Sequence, residues 1–144
     1  METFGYVLPE TESEAQAVFE ELEPASREIV GAVTRRLDVE ADTLDMLVTE
    51  EVYQTAHEAM FGSLLVVTTG SESAFESWRT QPPYDAFTVT MEGSDNVDNV
   101  AWHTAPVADT VIGATYQDER EAAVATLRRI VWGKIYRPLL SPSH

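Results

Sequence analysis

The hydrophobic period changes partway along this chain, and that change constrains the fold more than any other feature. From Tyr84 the pattern alternates: Phe87, Val89 and Met91 stand between Ala86, Thr88, Thr90 and Glu92. Successive strand side chains point to opposite faces, so this is the signature of a strand with one face covered. Upstream of Tyr84, and again after Asp118, apolar residues recur every three or four positions, as on one side of a helix. The chain is therefore expected to be α+β, with a helical N-terminal half, strands in the third quarter and a final helix.

The first helix is expected over residues 11–23. Thr11 stands three before Glu14 as a capping box, and Ala15, Val18, Phe19 and Leu22 form the apolar stripe. Pro24 is read as the start of a second helix, where its missing N–H costs little, with Ile29, Val30, Val33 and Leu37 as the inner face. A short helical turn is expected over 43–48, and a longer helix from Thr49. The second half of that helix, AMFGSLLVVTTG, is apolar nearly all round. Periodicity does not separate helix from strand over 60–69; helix is favoured because nothing interrupts the pattern before Gly70. Gly70 is read as a helix C-cap and Ser71 as the N-cap of a short helix over 72–80, ending before Pro82 and Pro83.

Three strands follow, joined by Gly93-Ser94-Asp95-Asn96 and punctuated by Pro106. The second, 97–104, places Val100 and Trp102 on one face and Ala101 and His103 on the other. The third, 109–116, places Val111 opposite Ile112, Ala114 and Tyr116. The expected arrangement is a three-stranded antiparallel meander, with a C-terminal amphipathic helix over about 119–137 packed on it. Asp118 and Glu121 open that helix as a capping box, and Pro138 ends it. The expectation is a single domain over 1–138, with 139–144 a loose tail in which Leu139 and Leu140 have the chance to dock.

The 25 acidic residues outnumber the nine basic ones and give a formal charge of -16; there is no cysteine. A small domain so charged repels itself in dilute buffer, and molar salt shortens the Debye length to roughly 3 Å and removes the repulsion. This is the composition of a protein adapted to a salt-saturated cytoplasm. It argues against nucleic acid as a partner, because phosphate binding draws on cations and on counterion release that weakens with salt. No run reaches the roughly 18 apolar residues of a membrane span, and the first residues do not read as a secretory leader. A cytoplasmic protein without membrane contact is expected.

The stretch SDNVDNVAWHTAP through ATYQDEREAAVATLRRIVWGKIYRPLL resembles the C-terminal half of a family of small acidic haloarchaeal proteins of unknown function, domain-of-unknown-function family 5809. The opening, LPET before an acidic helix, is similar to that family too. The resemblance implies salt adaptation; it brings no activity and no functional residues.

The charge is uneven. Residues 120–144 carry Arg120, Arg128, Arg129, Lys134 and Arg137 against Glu121 alone. Wound as a helix, Ala123, Val124, Leu127, Ile130, Val131 and Ile135 form the apolar face. Arg120 falls within it and is expected to meet a carboxylate of a neighbouring element; Lys134, close to it, lies in the last turn, where the helix dipole favours a cation. On the other side Arg129, Trp132, Gly133 and Tyr136 fall together, flanked by Arg128. Trp, Tyr and Arg are enriched among the residues that carry interface energy. The leading expectation is a non-enzymatic interaction or adaptor domain that uses this face to bind another protein or a second copy of itself. The bland reading sandwiches the helix between layers of its own domain.

The alternative is a small hydrolase or ligand-binding enzyme in which His103 is a general base oriented by Asp109 at a pocket on the sheet. An exposed Trp132 and Tyr136 would favour the first reading; a covered Trp132 and a His103 opening into a cleft with a convergent acid would favour the second. His57, on a helix side with Tyr53, Phe61 and Leu64, is expected to be a half-buried packing residue, and His144 a terminal one. Asp95, Asn96, Asp98 and Asn99 lack the ladder of a calcium loop and read as turn residues. TTGSES has one Gly and no nearby Lys, which suits a turn better than a phosphate loop. No metal or cofactor is expected.

Overall fold

The structure, a computed structural model, describes residues 1–37, 40, 43, 46–94 and 97–140. A mixed five-stranded sheet carries helices on both faces. The strands are β1 (Glu2–Phe4), β2 (Val67–Ser71), β3 (Thr88–Glu92), β4 (Asn99–Ala105) and β5 (Thr110–Tyr116), in the order β1-β2-β4-β5-β3. The helices are α1 (Glu12–Arg36), α2 (Glu50–Ser63), α3 (Glu72–Arg79), α4 (Arg120–Val131) and the single turn α5 (Arg137–Leu140). Between α4 and α5 the chain makes a π-helical turn, Trp132–Tyr136.

The α+β class and the amphipathic C-terminal helix on the sheet stand; the meander does not. β4 and β5 form an antiparallel hairpin, but β3 lies on the far side of β5 and runs parallel to it. The link after β3 therefore crosses the end of β5 instead of turning a hairpin. Gly93 makes that crossing. Its φ is 103°, and a Cβ there would lie 2.2 Å from Thr115 Oγ1. Burial explains the order. β4 and β5 are covered on both faces and sit centrally, while the half-exposed β3 takes an edge.

Two helical expectations also change. Pro24 does not start a new helix: α1 is one rod of 25 residues with Pro24 inside it. Beside that proline, Ser26 Oγ donates to Glu23 O at 2.8 Å. The 60–69 segment divides. α2 ends at Ser63, and β2 begins at Val67 and pairs with β1 and β4. The β-branched run Val66-Val67-Thr68-Thr69 suits a pleated strand between two others. Gly70 lies in that strand, not at a helix end, whereas Ser71 does cap α3, its Oγ accepting from Ala74 N at 3.1 Å.

Two apolar clusters share the sheet. On one face Ala101, Ala105, Ile112 and Ala114 meet Leu127 and Val131 of α4, Phe61 of α2 and Ala15 of α1. On the other Val100, Trp102 and Val111 meet Phe75 of α3, with Trp78, Phe87 and Val89 around them. Arg120 meets Glu2 at 2.7 Å and lies over the Phe4 ring, and Lys134 meets Glu92 at 2.9 Å, so both cations have carboxylate partners. His57 is half-buried, stacked on Phe19 with ring centroids 3.8 Å apart. Pro138 does not end the C-terminal helix. Arg137 N donates to Trp132 O across the wide turn, and Pro138, which lacks an N–H, follows inside α5, where Leu140 is buried. Residues 141–144, with His144, lie outside the described residues. So do Asp95 and Asn96, and part of the turn expected over 43–48.

Candidate functional site: a basic–aromatic groove

α2 and the C-terminal helix pack side by side, and the groove between them has a volume of about 590 Å³. On one wall stand Arg128, Arg129, Trp132 and Arg137; on the other, Thr55, Glu58, Ala59, Gly62 and Ser63. Small residues on α2 let the helices come close: a Cβ on Gly62 would meet Trp132 Cβ at 3.7 Å. The Trp132 indole is half-covered, tilted against Phe61 at 5.6 Å and stacked near Phe19 at 6.0 Å. Its remaining surface faces the groove.

The cations are held differently. Arg128 Nε donates to Leu65 O at 2.9 Å, which fixes the guanidinium against the wall, and its partial burial lowers its pKa. Arg129 is exposed and reaches Thr126 Oγ1 at 3.4 Å. Arg137 lies 3.8 Å from the largely buried Glu58 carboxylate. Three of the nine basic residues of a chain with charge -16 thus line one groove.

Of the five residues expected to form the face, Arg128, Arg129 and Trp132 come together here. Gly133 is exposed, with nothing within 4 Å of where its Cβ would be, and does not line the groove. Tyr136 is not on the face: it is fully buried. An α-helix advances 100° per residue, but a π turn advances less, so by Tyr136 the side chain lags behind its ideal position and swings into the core. There it packs on Phe61, ring centroids 5.4 Å apart.

Tyr136 meets His103 instead. Tyr136 Oη donates to His103 Nε2 at 2.8 Å, and His103 Nδ1 donates to Val66 O at 2.6 Å. These partners assign the neutral Nδ1–H tautomer. Burial holds the His103 pKa down at about 4; the Val66 carbonyl opposes the fall and the Arg128 charge adds to it. Burial likewise raises the Tyr136 phenol above its ordinary value. The expected His103–Asp109 pair is not formed. His103 is sealed, with both ring nitrogens occupied by other groups. Asp109 is exposed past the β4–β5 turn at φ 48°, and its carbonyl accepts from Thr88 N.

A second hollow, of about 550 Å³, lies between the end of β5 and α4; Glu92, Asp118 and Glu119 line it and His103 does not. Asp98 and Asn99 are occupied with Gln117: Asn99 Nδ2 donates to Gln117 O, and Gln117 Nε2 to Asp98 Oδ2. Among the described residues no three His, Asp or Glu side chains gather as a metal site, and no helix is long and apolar enough to cross a membrane.

Sequence reasoning missed the α2 wall and Arg137. The signal was present in Thr55, Ala59 and Gly62, small residues spaced along one side of a helix, which mark where a second helix approaches closely.

The molecule is thus an α+β domain with a sealed histidine in its core and a basic–aromatic groove on its surface. Over residues 6–137 the chain matches the model of a family of unknown function, DUF5809, and it belongs to that family. No curated protein and no solved structure matches it.

Proposed function

We propose that this protein is a non-enzymatic interaction domain of a salt-adapted cytoplasm, and that its groove holds an acidic segment of another protein by one apolar or aromatic anchor. The observation that carries this reading is the groove itself, where Trp132 and three arginines converge in an otherwise acidic chain. At high salt the long-range repulsion between two acidic proteins is screened, and contact interactions decide. Arginine suits that regime, because its planar fork binds a carboxylate by two parallel hydrogen bonds. A half-covered indole beside it supplies apolar contact at little entropic cost. The acidic composition and the absence of cysteine support the cytoplasmic, salt-rich setting.

The test is fluorescence anisotropy of a dye-labelled peptide of Asp and Glu with a single central Phe, measured in molar KCl. Wild type is expected to bind, and Trp132→Ala and the double variant Arg129→Ala/Arg137→Ala are each expected to weaken binding at least about tenfold, the loss of one contact worth 1.4 kcal/mol. Equal binding by all three proteins would overturn the reading.

A further inference from the structure

The segment that leads into α1 is held on display. Gly5 opens it at φ 107°, and a Cβ there would lie 2.5 Å from Leu65 O, so glycine lets the chain run this close. Tyr6 N and Val7 N both donate to Leu64 O at 2.8 Å, and Val66 N donates to Val7 O at 2.9 Å. Burial then alternates: Val7 and Pro9 face the body, whereas Tyr6, Leu8 and Glu10 face out. Tyr6 is 88% exposed and Leu8 45%. An aromatic and an aliphatic side chain thus stand in water on a backbone pinned by hydrogen bonds. Acid follows at once. Residues 6–14 carry Glu10, Glu12 and Glu14 and no basic residue, and among the described residues neither Glu10 nor Glu12 has a cationic partner.

We propose that the occupant of the basic–aromatic groove is this segment of a second copy, exchanged across a two-fold axis. The inference rests on the groove reading above and names its partner: the chain itself carries an acidic segment with an apolar anchor.

Position makes the exchange reciprocal. Leu64, which holds Tyr6, follows directly on Ser63 of the groove wall, and Leu65 O, beside Gly5, accepts from Arg128 Nε at 2.9 Å. Segment and groove are therefore neighbours on one molecule. A two-fold axis beside them sets each segment into the other copy's groove, and the contact closes at two copies.

Charge and spacing fit the pair. Three arginines line the groove against one acid, Glu58, which already faces Arg137 at 3.8 Å; Arg129 has no carboxylate partner among the described residues. Alternate residues of an extended chain stand roughly 7 Å apart. Trp132 and Arg137, five residues apart on the helix, stand about as far. Leu8 against the indole therefore sets Glu10 beside Arg137, and Tyr6, on the other side, falls toward Arg129, where its ring can cover the guanidinium. Because the segment is already pinned, docking costs little further ordering.

The test is light scattering of the full chain over a range of concentrations in molar KCl. Wild type is expected at twice the chain mass. Tyr6→Ala, at a position almost wholly in water, is expected to keep its circular dichroism spectrum and to raise the dissociation constant of the dimer at least about tenfold, as is Glu10→Arg. A mixture of Tyr6→Ala, which keeps the groove, with Trp132→Ala, which keeps the tyrosine, restores one intact contact and is expected to associate more tightly than either variant alone. Tyr6→Ala is also expected to bind the acidic Phe-bearing peptide at least as well as wild type, since its groove is vacated. A dimer that survives Tyr6→Ala, a mixture no tighter than its parts, or a mass that climbs past two copies would overturn the proposal. A wild type that binds the peptide yet stays a monomer overturns this inference alone; a folded Tyr6→Ala protein that does not bind the peptide overturns the groove reading and this inference with it.

Discussion

Trp132 and Tyr136 stand one turn apart on the same helix, and they belong to different parts of the molecule. Tyr136 is sealed in the core, where its hydroxyl satisfies His103. Trp132 keeps one face on Phe61 and Phe19 and gives the other to a groove lined by arginines. The π-helical turn that separates them puts one aromatic in the core and leaves the other half-covered at the groove. The difference teaches that residue type and helical spacing do not by themselves assign an aromatic to a surface; the backbone turn between two residues also decides.

The comparison breaks most readily on the Tyr136 side. Tyr136→Ala removes a buried aromatic and leaves His103 Nε2 without its donor, and the cost is expected to be about 4 kcal/mol. Thermal or denaturant unfolding in molar KCl would show it; a loss under about 1 kcal/mol would mean that Tyr136 is not core.

Acidification probes the same buried pair. The folded-state pKa of His103, about 4, lies below its ordinary 6.5. Its contribution is therefore complete above pH 6.5 and is lost as the pH falls toward 4, because across that window the unfolded chain binds the extra proton. The full loss is on the order of 3 kcal/mol. His103→Gln is expected to flatten this part of the stability profile between pH 7 and 5 relative to wild type; parallel profiles would show that the histidine is not held neutral.

Trp132→Ala sharpens the contrast. A half-covered indole contributes packing, so a loss of about 1–2 kcal/mol is expected, with the fold intact. Circular dichroism and unfolding midpoints would check it; outright unfolding would place Trp132 in the core with Tyr136. The smallest effect is expected at Arg129, exposed and lightly tethered. Arg129→Ala should change stability by no more than about 0.5 kcal/mol, and a larger loss would give that arginine a structural role.

Much of the fold was legible because local rules agreed with tertiary placement. The alternation at Val100–His103 gave the two faces of β4 correctly, and both faces proved to be covered. The capping residues Thr11 and Ser71 marked true helix starts, whereas Asp118 does not cap α4, which is preceded by Glu119 with no side-chain cap. What failed depended on contacts distant in sequence. Nothing local to Gly93 says that the chain crosses β5 rather than turning back. Nothing local to Val67 distinguishes a buried helix from a strand between β1 and β4. The spacing of Ile29, Val30, Val33 and Leu37 reads as one inner face, but only Val30 is buried; spacing alone does not tell which of the four the body covers. At the groove, Arg128, Arg129 and Trp132 were legible as an anomalous cluster in an acidic chain. Ideal α-helical winding puts Tyr136 on that face; the wide turn carries it into the core.

The most direct test of the division between Trp132 and Tyr136 is the indole N–H region of a heteronuclear NMR spectrum, recorded while the acidic Phe-bearing peptide is added. The chain has three tryptophans, and Trp78 and Trp102 lie together with Phe75 on the opposite face of the sheet. The account predicts that the Trp132 resonance alone moves and saturates, and that Arg129→Ala/Arg137→Ala abolishes the movement. A titration that leaves Trp132 unmoved, or that moves all three resonances alike, would contradict it.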